Sequence, residues 1–359
     1  MIILNAPINQ LGYGIASLNI LKELSKITDI CLMPIGQPDV TNQNDADLCK
    51  RALDNRKHSL VDKPCVKLWH QHDMARLPDH KGKMIGFPIF ELDTFTDQEM
   101  EQLSSVDSLF VCSQWAEGVI KDNDIDVPTT VIPLGVNSNV FKPKDKQRVR
   151  FNHGEDEKTI FFNCGKWEVR KGHDALIKAW DRLSQNNDNI ELWMMCDNPF
   201  NTPQEVLYWE SLYNRPNIKI IPRVETQEEV YNIMSRTDCG VFPSRAEGWN
   251  LELLEMMACG KRVITTDYSA HTEFCNSDNS YLVEIDGLEP AFDGKWFFGH
   301  GNWAEITGKQ EVQLLEYMQQ VVNDKQTGWL HQPDNVQGLE TAKRFSWENT
   351  AKRILEHVE

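Results

Sequence analysis

The sequence lacks the features of several protein classes. None of its nine cysteines forms a Cys-x-x-Cys pair and their number is odd, so we expect reduced, buried thiols rather than a disulfide framework. No stretch approaches about 18 uninterrupted apolar residues, so no transmembrane helix is expected. The first seven residues lack both the cationic lead and the apolar length of a secretory signal. A cytoplasmic protein is therefore predicted.

An excess of basic residues is also missing. The formal charge of −17 argues against a nucleic-acid partner, and it limits membrane association to peripheral contact through a local basic patch. The shares of hydrophobic residues (40%) and charged residues (25%) are those of a globular protein. At 359 residues the chain exceeds the size at which single cores usually stop growing, which predicts two domains.

Strand-like and helical segments alternate along the chain in two series. The first series begins with the apolar run 1–4 and a helix of near-helical apolar period, and its later strands are predicted at 65–69, 84–90, 108–112 and 130–133. The second has strands at 159–164, 190–196, 217–221, 239–242 and 262–265, with helices at 173–183 and 251–259. Such βαβ series predict an α/β protein with two doubly wound, Rossmann-like domains facing each other across a cleft.

The charged region 134–157 has no apolar period and is predicted to be the linker. We accordingly divide the chain into an N-terminal Rossmann-like domain at 1–140, a C-terminal one at 141–340 and a tail at 341–359. Apolar and aromatic side chains in the tail predict one last helix over 343–359.

The first motif is the segment 241–255, in which a strand, a short loop and a helix follow one another. Asn250 is a good N-cap residue, and the exposed amides of a helix start bind phosphate or sugar hydroxyls. Glu247 precedes the helix and Glu255 lies inside it. Eight helical residues rise roughly 12 Å, which lets the two carboxylates serve opposite ends of an extended ligand. The alternative is a pair of surface glutamates on an ordinary helix, but the position after a strand favours a site.

The second motif, 162–173, is a strand end followed by a cationic loop. Gly165 and Gly172 permit close backbone approach or an unusual φ. Lys166, Arg170 and Lys171 together are suited to neutralise a diphosphate and to stabilise it as a leaving group. The alternative is a solvated basic loop. A cluster of cations at the predicted cleft of an acidic chain nevertheless favours a functional site.

These two motifs together resemble the retaining glycosyltransferases of family 4, which have the GT-B fold. The segments 111–115, 131–137 and 141–143 are similar to further parts of the family pattern. The resemblance spans nearly the whole chain and is most specific from residue 111 to 275. It implies that Lys166 and Lys171 contact the donor diphosphate, that Glu247 positions the transferred sugar, and that Glu255 binds the ribose hydroxyls.

The resemblance also implies further donor contacts. The start of the helix contacts the sugar or the phosphate through Gly248, Trp249, Asn250 and Leu251. Arg170 belongs to the loop that binds the diphosphate. Val224 follows a strand, at a position where members of the family often contact the nucleotide base. Gly12 and Gly14 match the N-terminal glycine loop, where phosphates or the acceptor approach the backbone.

Two departures from the family pattern stand out. The family commonly has Arg where this chain has Lys166, and Lys does not offer the same planar fork. The family often has a His at a strand end of the N-terminal domain, whereas the corresponding loop here offers Glu91 and Asp93. His72, two residues from His70 and on the same side of a strand, is the alternative sugar contact. A zinc site is not expected, because no cluster of further ligands accompanies these histidines.

The resemblance thus predicts a metal-independent transferase without a cofactor, which moves a sugar from a UDP- or GDP-type nucleotide sugar to a hydroxyl acceptor such as a glycan or a lipid-linked sugar. Retention at the anomeric carbon is implied by the family. The alternatives are a nucleotide-sugar epimerase or a phosphorylase of the same fold, and a catalytically silent sugar-binding or scaffold protein. The sequence does not distinguish between uracil, guanine and adenine as the donor base, and it does not identify the transferred sugar.

Overall fold

The computed structural model describes residues 1–58, 60–144, 158–327 and 335–358. The chain divides into two compact units. The first consists of Met1–Val136 together with Arg344–Glu359, and the second of Asn137–Lys343. Residues 145–157, most of the predicted linker, lie outside the described residues.

The first unit contains a six-stranded parallel sheet. Its strands are β1 (Ile2–Ala6), β2 (Ile30–Pro34), β3 (Cys65–Trp69), β4 (Met84–Pro88), β5 (Ser108–Val111) and β6 (Thr129–Val131). They lie in the order β2-β1-β3-β4-β5-β6. The order reverses between β1 and β3, so the carboxyl ends of these two strands are where such a sheet binds ligands.

The second unit contains another six-stranded parallel sheet. Its strands are β7 (Thr159–Gly165), β8 (Ile190–Cys196), β9 (Ile218–Ile220), β10 (Cys239–Phe242), β11 (Arg262–Thr266) and β12 (Tyr281–Val283). The order β12-β11-β10-β7-β8-β9 is that of the dinucleotide-binding fold. All seven residues of β8 are buried, as expected for a parallel strand that is covered on both faces. The order reverses between β7 and β10.

An antiparallel hairpin follows β12. It consists of β13 (Leu288–Phe292) and β14 (Phe298–Ala304), which the sequence did not predict. The helices are α1 (Gly12–Ile27), α2 (Gln43–Asp54), α3 (Asp97–Ser104), α4 (Gln114–Asp122), α5 (His173–Leu183), α6 (Pro203–Leu212), α7 (Gln227–Met234), α8 (Leu251–Ala258), α9 (Gly308–Gln326), α10 (Val336–Arg344) and α11 (Trp347–His357).

The predicted last helix is α11, but its predicted start at residue 343 is wrong, because α10 ends at Arg344 and α11 begins at Trp347. The carbonyl of Phe345 accepts a hydrogen bond from the Val136 amide. The Ser346 side chain then caps α11 by accepting from Asn349 N. This backbone pairing with Val136 interrupts the helix. After the break α11 packs against α1 within the first unit.

Candidate functional site

The two motif loops meet at the switch point of the second sheet. One follows β7 and the other follows β10, which is the neighbouring strand. The Arg245 amide donates to the Arg170 carbonyl at 2.7 Å, and Arg170 Nη1 donates to the Ala246 carbonyl at 2.6 Å. Gly172 has φ +69°, and a Cβ there would lie 1.9 Å from the Pro243 carbonyl oxygen. Only glycine allows this approach, and it holds the two loops together.

Glu247 is at the centre of the joined loops and is only 4% exposed. Its carboxylate accepts from Lys171 Nζ at 2.7 Å, from Arg170 Nη1 at 2.9 Å and from Ser244 Oγ at 2.7 Å. Its own amide donates to Ser269 Oγ at 2.8 Å. Burial by itself would raise the pKa of this carboxyl, but the Lys171 and Arg170 cations outweigh it and hold the pKa well below its ordinary value. Glu247 is therefore an ionised carboxylate in a fixed position.

Lys171 lies across Gly165 and keeps its charge. Gly165 has φ +144°, and a Cβ there would meet Lys171 Cε at 3.3 Å, so the absence of a side chain makes room for the lysine. Burial lowers the pKa of Lys171, whereas the carboxylates of Glu247 and Glu252 raise it, and the net direction is upward. A permanently charged ammonium group therefore stands at the end of β7.

The other two cations of the loop differ in exposure. The guanidinium of Arg170 is buried and also binds the Glu168 carboxylate at 2.9 Å, which ties it to the protein on several sides. The ammonium of Lys166 lies 3.5 Å from Glu168, and its side chain is 39% exposed. Lys166 is thus the most accessible of the three cations, whereas the Lys171 side chain is only 11% exposed, and contact between Arg170 and a donor remains a prediction.

The start of α8 has the predicted cap but a different geometry. Asn250 is in the left-handed region at φ +79°, and its Oδ1 accepts from Leu253 N, which confirms the N-cap. The assumption that eight helical residues separate Glu247 from Glu255 is wrong, because residues 247–250 are not helical. Only the stretch from Leu251 to Glu255 is helical, and it rises roughly 6 Å.

His271, which the sequence reasoning missed, fixes the orientation of Asn250. The histidine is fully buried, and its Nδ1 lies 3.1 Å from the Thr266 carbonyl oxygen. A carbonyl only accepts, so Nδ1 carries the proton and Nε2 accepts from Asn250 Nδ2 at 2.9 Å. Burial lowers the pKa of His271 to about 4 against some opposition from Glu247. The neutral ring thereby holds the Asn250 amide in the orientation that caps α8.

This histidine predicts a dependence of stability on pH. The unfolded chain protonates it near the ordinary pKa of 6.5 and the folded chain only near 4. The unfolded state therefore binds more protons between these values, and the free energy of unfolding falls with decreasing pH by up to about 3 kcal/mol from this group. His271→Asn is expected to remove this share of the slope in denaturant titrations between pH 6.5 and 4.5.

The exposed His58 provides the matched control, and His58→Asn is expected to leave the slope unchanged. His173, whose pKa burial also lowers to about 4, contributes a slope of the same sign. Glu255, whose pKa is raised, contributes the opposite sign. His173 and Glu255 are present in wild type, His271→Asn and His58→Asn alike. Differences between the pH profiles of their unfolding free energies therefore report on His271 alone. Equal slopes in wild type and His271→Asn would contradict the prediction.

Glu255 is the third of six consecutive buried residues in α8, Leu253 to Ala258, and is 8% exposed. Burial first, and then the neighbouring charge of Glu252, raise its pKa well above the ordinary value. A carboxyl group that retains its proton both donates and accepts hydrogen bonds, which suits a pair of hydroxyls. Glu252 itself was not singled out from the sequence, although it acts electrostatically on both Lys171 and Glu255.

The remaining predicted donor residues lie at two places. Gly248 and Trp249 are buried beside Glu247, and the Trp249 ring packs against Phe274 with centroids 4.9 Å apart. At 2% exposure the Trp249 ring belongs mainly to the core. Leu251 is the first residue of α8 and is partly buried. Val224 is partly buried in the loop between β9 and α7.

In the first unit, the two predicted glycines belong to the first turn of α1. A Cβ on Gly14 would lie 2.3 Å from the backbone of Asn9, so this glycine serves close packing inside the protein. Gly12 is exposed, and a Cβ there would meet nothing within 4 Å. Of the two, only Gly12 leaves open space at the end of β1.

The histidine pair lies beside this helix start. The strand β3 ends at Trp69, so the prediction that His70 and His72 share one side of a strand is wrong. Their rings nevertheless stack, with centroids 5.2 Å apart, because the chain turns after Trp69. Tyr13 Oη donates to the Ile89 carbonyl at 2.5 Å and lies 3.4 Å from His70 Nδ1. These groups follow β1, β3 and β4 at the switch point of the first sheet.

Glu91 and Asp93 are both partly buried in the loop after β4. The Asp93 carboxylate accepts from Thr94 Oγ1 at 3.1 Å, and its carbonyl accepts from Asn123 Nδ2 at 3.0 Å. Among the described residues, no group of three or more His, Cys, Asp or Glu side chains is arranged to hold a metal ion. No helix in the described part of the chain has the length and apolar character needed to cross a membrane.

Comparison with known proteins agrees with this geometry. Residues 157–292 match the family model of the glycosyl transferases group 1. A sucrose-phosphate synthase from Thermosynechococcus elongatus superposes with a TM-score of 0.70 at 15% identity, over 99% of this chain and 97% of that one. Anabaena HepE in complex with UDP-glucose superposes with a TM-score of 0.67 at 13% identity, over 99% and 98%. The chain therefore has the GT-B fold.

The matched residues 157–292 contain both motif loops, so this segment is similar to the glycosyl transferases group 1, in agreement with the resemblance read from the two motifs. A GDP-mannose-dependent phosphatidylinositol dimannoside mannosyltransferase of Mycobacterium tuberculosis is 25% identical over 157 residues, which are 44% of this chain and 40% of that protein. The chain spans 40% to 56% of the length of the curated relatives that it matches.

Proposed function

We propose that the chain is a glycosyltransferase that transfers a sugar from a nucleotide diphosphate donor to a hydroxyl acceptor with retention at the anomeric carbon. The observation that carries this proposal is the ionised, buried Glu247 held beside the charged Lys171 at the switch point of the second sheet. This is where doubly wound sheets bind nucleotides.

The chemistry follows from the charges. A nucleoside diphosphate leaves with additional negative charge, and Lys171, Lys166 and the amides at the start of α8 stabilise that charge in position. Glu247 accepts hydrogen bonds from sugar hydroxyls and orients the anomeric carbon. Its salt bridges prevent protonation, so it serves as a fixed acceptor rather than as an acid. The acceptor hydroxyl forms a bond to the anomeric carbon on the face from which the diphosphate leaves, the bond from that carbon to the phosphate oxygen breaks, and the departing phosphate oxygen takes the hydroxyl proton. The configuration is thereby retained.

The rest of the donor fits the same scheme. The buried carboxyl group of Glu255 is proposed to bind the ribose hydroxyls, since carboxyl oxygens accept hydrogen bonds from neighbouring hydroxyls. The loop with Val224 is proposed to receive the base. Arg170 is proposed to act as a positioning residue for Glu247, since its guanidinium binds Glu247, Glu168 and the Ala246 carbonyl. The group at the ends of β1, β3 and β4, which includes His72, Glu91 and Asp93, is proposed to contact the sugar or the acceptor.

The charge balance of this site provides for phosphate stabilisation without a metal ion, and we propose a reaction that needs no resident cofactor. We further propose a cytoplasmic enzyme with no more than peripheral membrane contact. Addition of a chelator is expected to leave the rate of donor hydrolysis unchanged, and a loss of activity on chelation would contradict metal independence.

A panel of nucleotide sugars tests the proposal. UDP-glucose, UDP-N-acetylglucosamine, GDP-mannose and an adenine-type sugar nucleotide are compared by thermal shift and by slow donor hydrolysis. One donor is expected to raise the melting temperature by several degrees at a concentration 100 times its Kd, because binding there contributes about 2.7 kcal/mol to stability. The same donor is expected to be hydrolysed.

Glu255→Ala is expected to weaken stabilisation by that donor, whereas the same change at the exposed Glu348 serves as control. A folded protein that responds to no member of the panel would overturn the transferase in favour of the silent scaffold. Conversion of the donor to its epimer without release of free sugar would instead support the epimerase.

A further inference from the structure

The tip of the hairpin β13–β14 presents one aromatic ring rigidly. The Asp293 carboxylate oxygen Oδ1 accepts hydrogen bonds from the backbone amides of Lys295, Trp296 and Phe297, each at 2.8 Å. The Phe297 carbonyl accepts from the Asp293 amide at 2.9 Å and so closes the turn. Trp296 nonetheless exposes 52% of its surface. A tight turn with this many internal bonds fixes the backbone that carries the exposed ring.

A lysine fastens this tip to the loop that follows β8. Lys295 Nζ donates to the Phe200 carbonyl and to Asn201 Oδ1, both at 2.8 Å, and to the two carboxylate oxygens of Glu205 at 3.0 and 3.1 Å. These bonds bring Trp296 against Phe200, which is 49% exposed, with ring centroids 5.7 Å apart and planes at 81°. We call Phe200 and Trp296 the aromatic platform.

The platform adjoins the candidate donor site. Lys166 Nζ lies 5.6 Å from the centroid of the Phe200 ring, within the range of a cation–π interaction. Lys166 follows β7, and Phe200 follows the neighbouring strand β8. A ligand that extends from the proposed diphosphate site past Lys166 would therefore contact the platform.

Resting on the proposed function, we propose that the aromatic platform binds a pyranose ring of an oligosaccharide acceptor. The C–H bonds of a sugar carry partial positive charge next to their oxygens, and they pack on the negative face of an aromatic ring. Because the turn and the lysine already fix the rings, binding costs little additional conformational entropy. The polar groups of Glu205, Asn201 and Asp293 around the rings match a ligand that has hydroxyls on its edges.

The charge of the surroundings favours a glycan over a lipid surface. Among the described residues, Asp293 and Glu205 balance Lys295 and Lys166 around the platform, and the chain as a whole carries a formal charge of −17. Anionic bilayers attract basic segments, and the described part of this acidic chain has no excess of basic side chains at the platform. A neutral oligosaccharide does not need such an excess.

The test measures binding by isothermal titration calorimetry with maltooligosaccharides, α-mannooligosaccharides and β-1,4-linked N-acetylglucosamine oligomers. One class is expected to bind the wild type, and Trp296→Ala is expected to weaken that binding by about tenfold or more. Trp296→Phe is expected to retain most of it. Phe298→Ala, which removes a more exposed ring of the same hairpin (69%), is the matched control and is expected to bind like wild type.

Lys295→Met keeps both rings but removes the bonds that fix them, and it is expected to weaken binding several-fold. Hydrolysis of the donor is expected to remain at the wild-type rate in all of these variants, so a failure of the platform is distinguishable from a failure of the transferase. Wild type that hydrolyses a donor but binds no oligosaccharide of the panel would overturn the platform alone. Wild type that hydrolyses no donor would count against the proposed function.

Two further results would overturn the glycan assignment. Weaker binding of UDP or GDP by Trp296→Ala would assign the platform to the nucleotide base. Sedimentation with vesicles of phosphatidylcholine and phosphatidylglycerol that is lost in Trp296→Ala would assign it to a membrane surface.

Discussion

Lys171→Met is expected to lower the rate of donor hydrolysis and of sugar transfer by roughly 10²–10³-fold, the range found for removal of one fixed donor to a developing negative charge. Methionine has nearly the length of lysine without the ammonium group. Glu247 retains its bonds from Arg170 and Ser244, so the joined loops are expected to persist. The loss is therefore expected in kcat, with a smaller change in donor KM.

The matched control is Lys178→Met, which removes a lysine of the same unit that pairs with Glu311 at 2.7 Å on the surface. Its rate is expected to equal that of wild type. Single-turnover hydrolysis with the donor found in the panel separates chemistry from product release. A Lys171→Met protein that is folded, as judged by circular dichroism, and as fast as wild type would contradict the role given to Lys171.

Glu247→Gln is expected to reduce both activity and stability. The substitution keeps the shape of the side chain but removes the negative charge that compensates two buried cations. Breaking a buried pair in this way costs about 3–5 kcal/mol, because the partner charge stays in a poorly solvated place. Arg170 keeps Glu168 as a partner, which places the expected loss at the lower end of this range. Urea titration at neutral pH measures it.

Glu311→Gln gives the comparison for a pair with an exposed lysine and is expected to cost at most about 1 kcal/mol. Activity separates the sugar-positioning role of Glu247 from its structural one. In the presence of a stabilising osmolyte, which restores the folded population, transfer by Glu247→Gln is still expected to be reduced more than about 100-fold. Recovery of the wild-type rate under those conditions would assign Glu247 to stability alone.

Much of the second sheet followed from local patterns. The predicted spans of β8, β10 and α5 agree with the structure residue for residue, since continuous apolar runs and a strong helical period are local signals. Several elements were not predicted, among them the strands β2 and β12 and the helices α2, α6, α7 and α9. The hairpin β13–β14 was missed as well, because its exposed aromatics and glycines have no simple alternation between an apolar and a polar face.

By itself, the sequence determined the class of fold and the loops that carry the site. A strand that ends in a glycine and a cationic loop, and a strand followed by a capped helix, are both short-range patterns, and parallel sheets place such loops at one edge. Only the tertiary structure decided what the side chains do there. Arg170 and Glu247 are 77 positions apart, and Asn250 and His271 are 21 apart. Such pairings depend on strand order and on burial, which give Glu247 its permanent charge and His271 its neutral ring, and neither property can be derived from spacing.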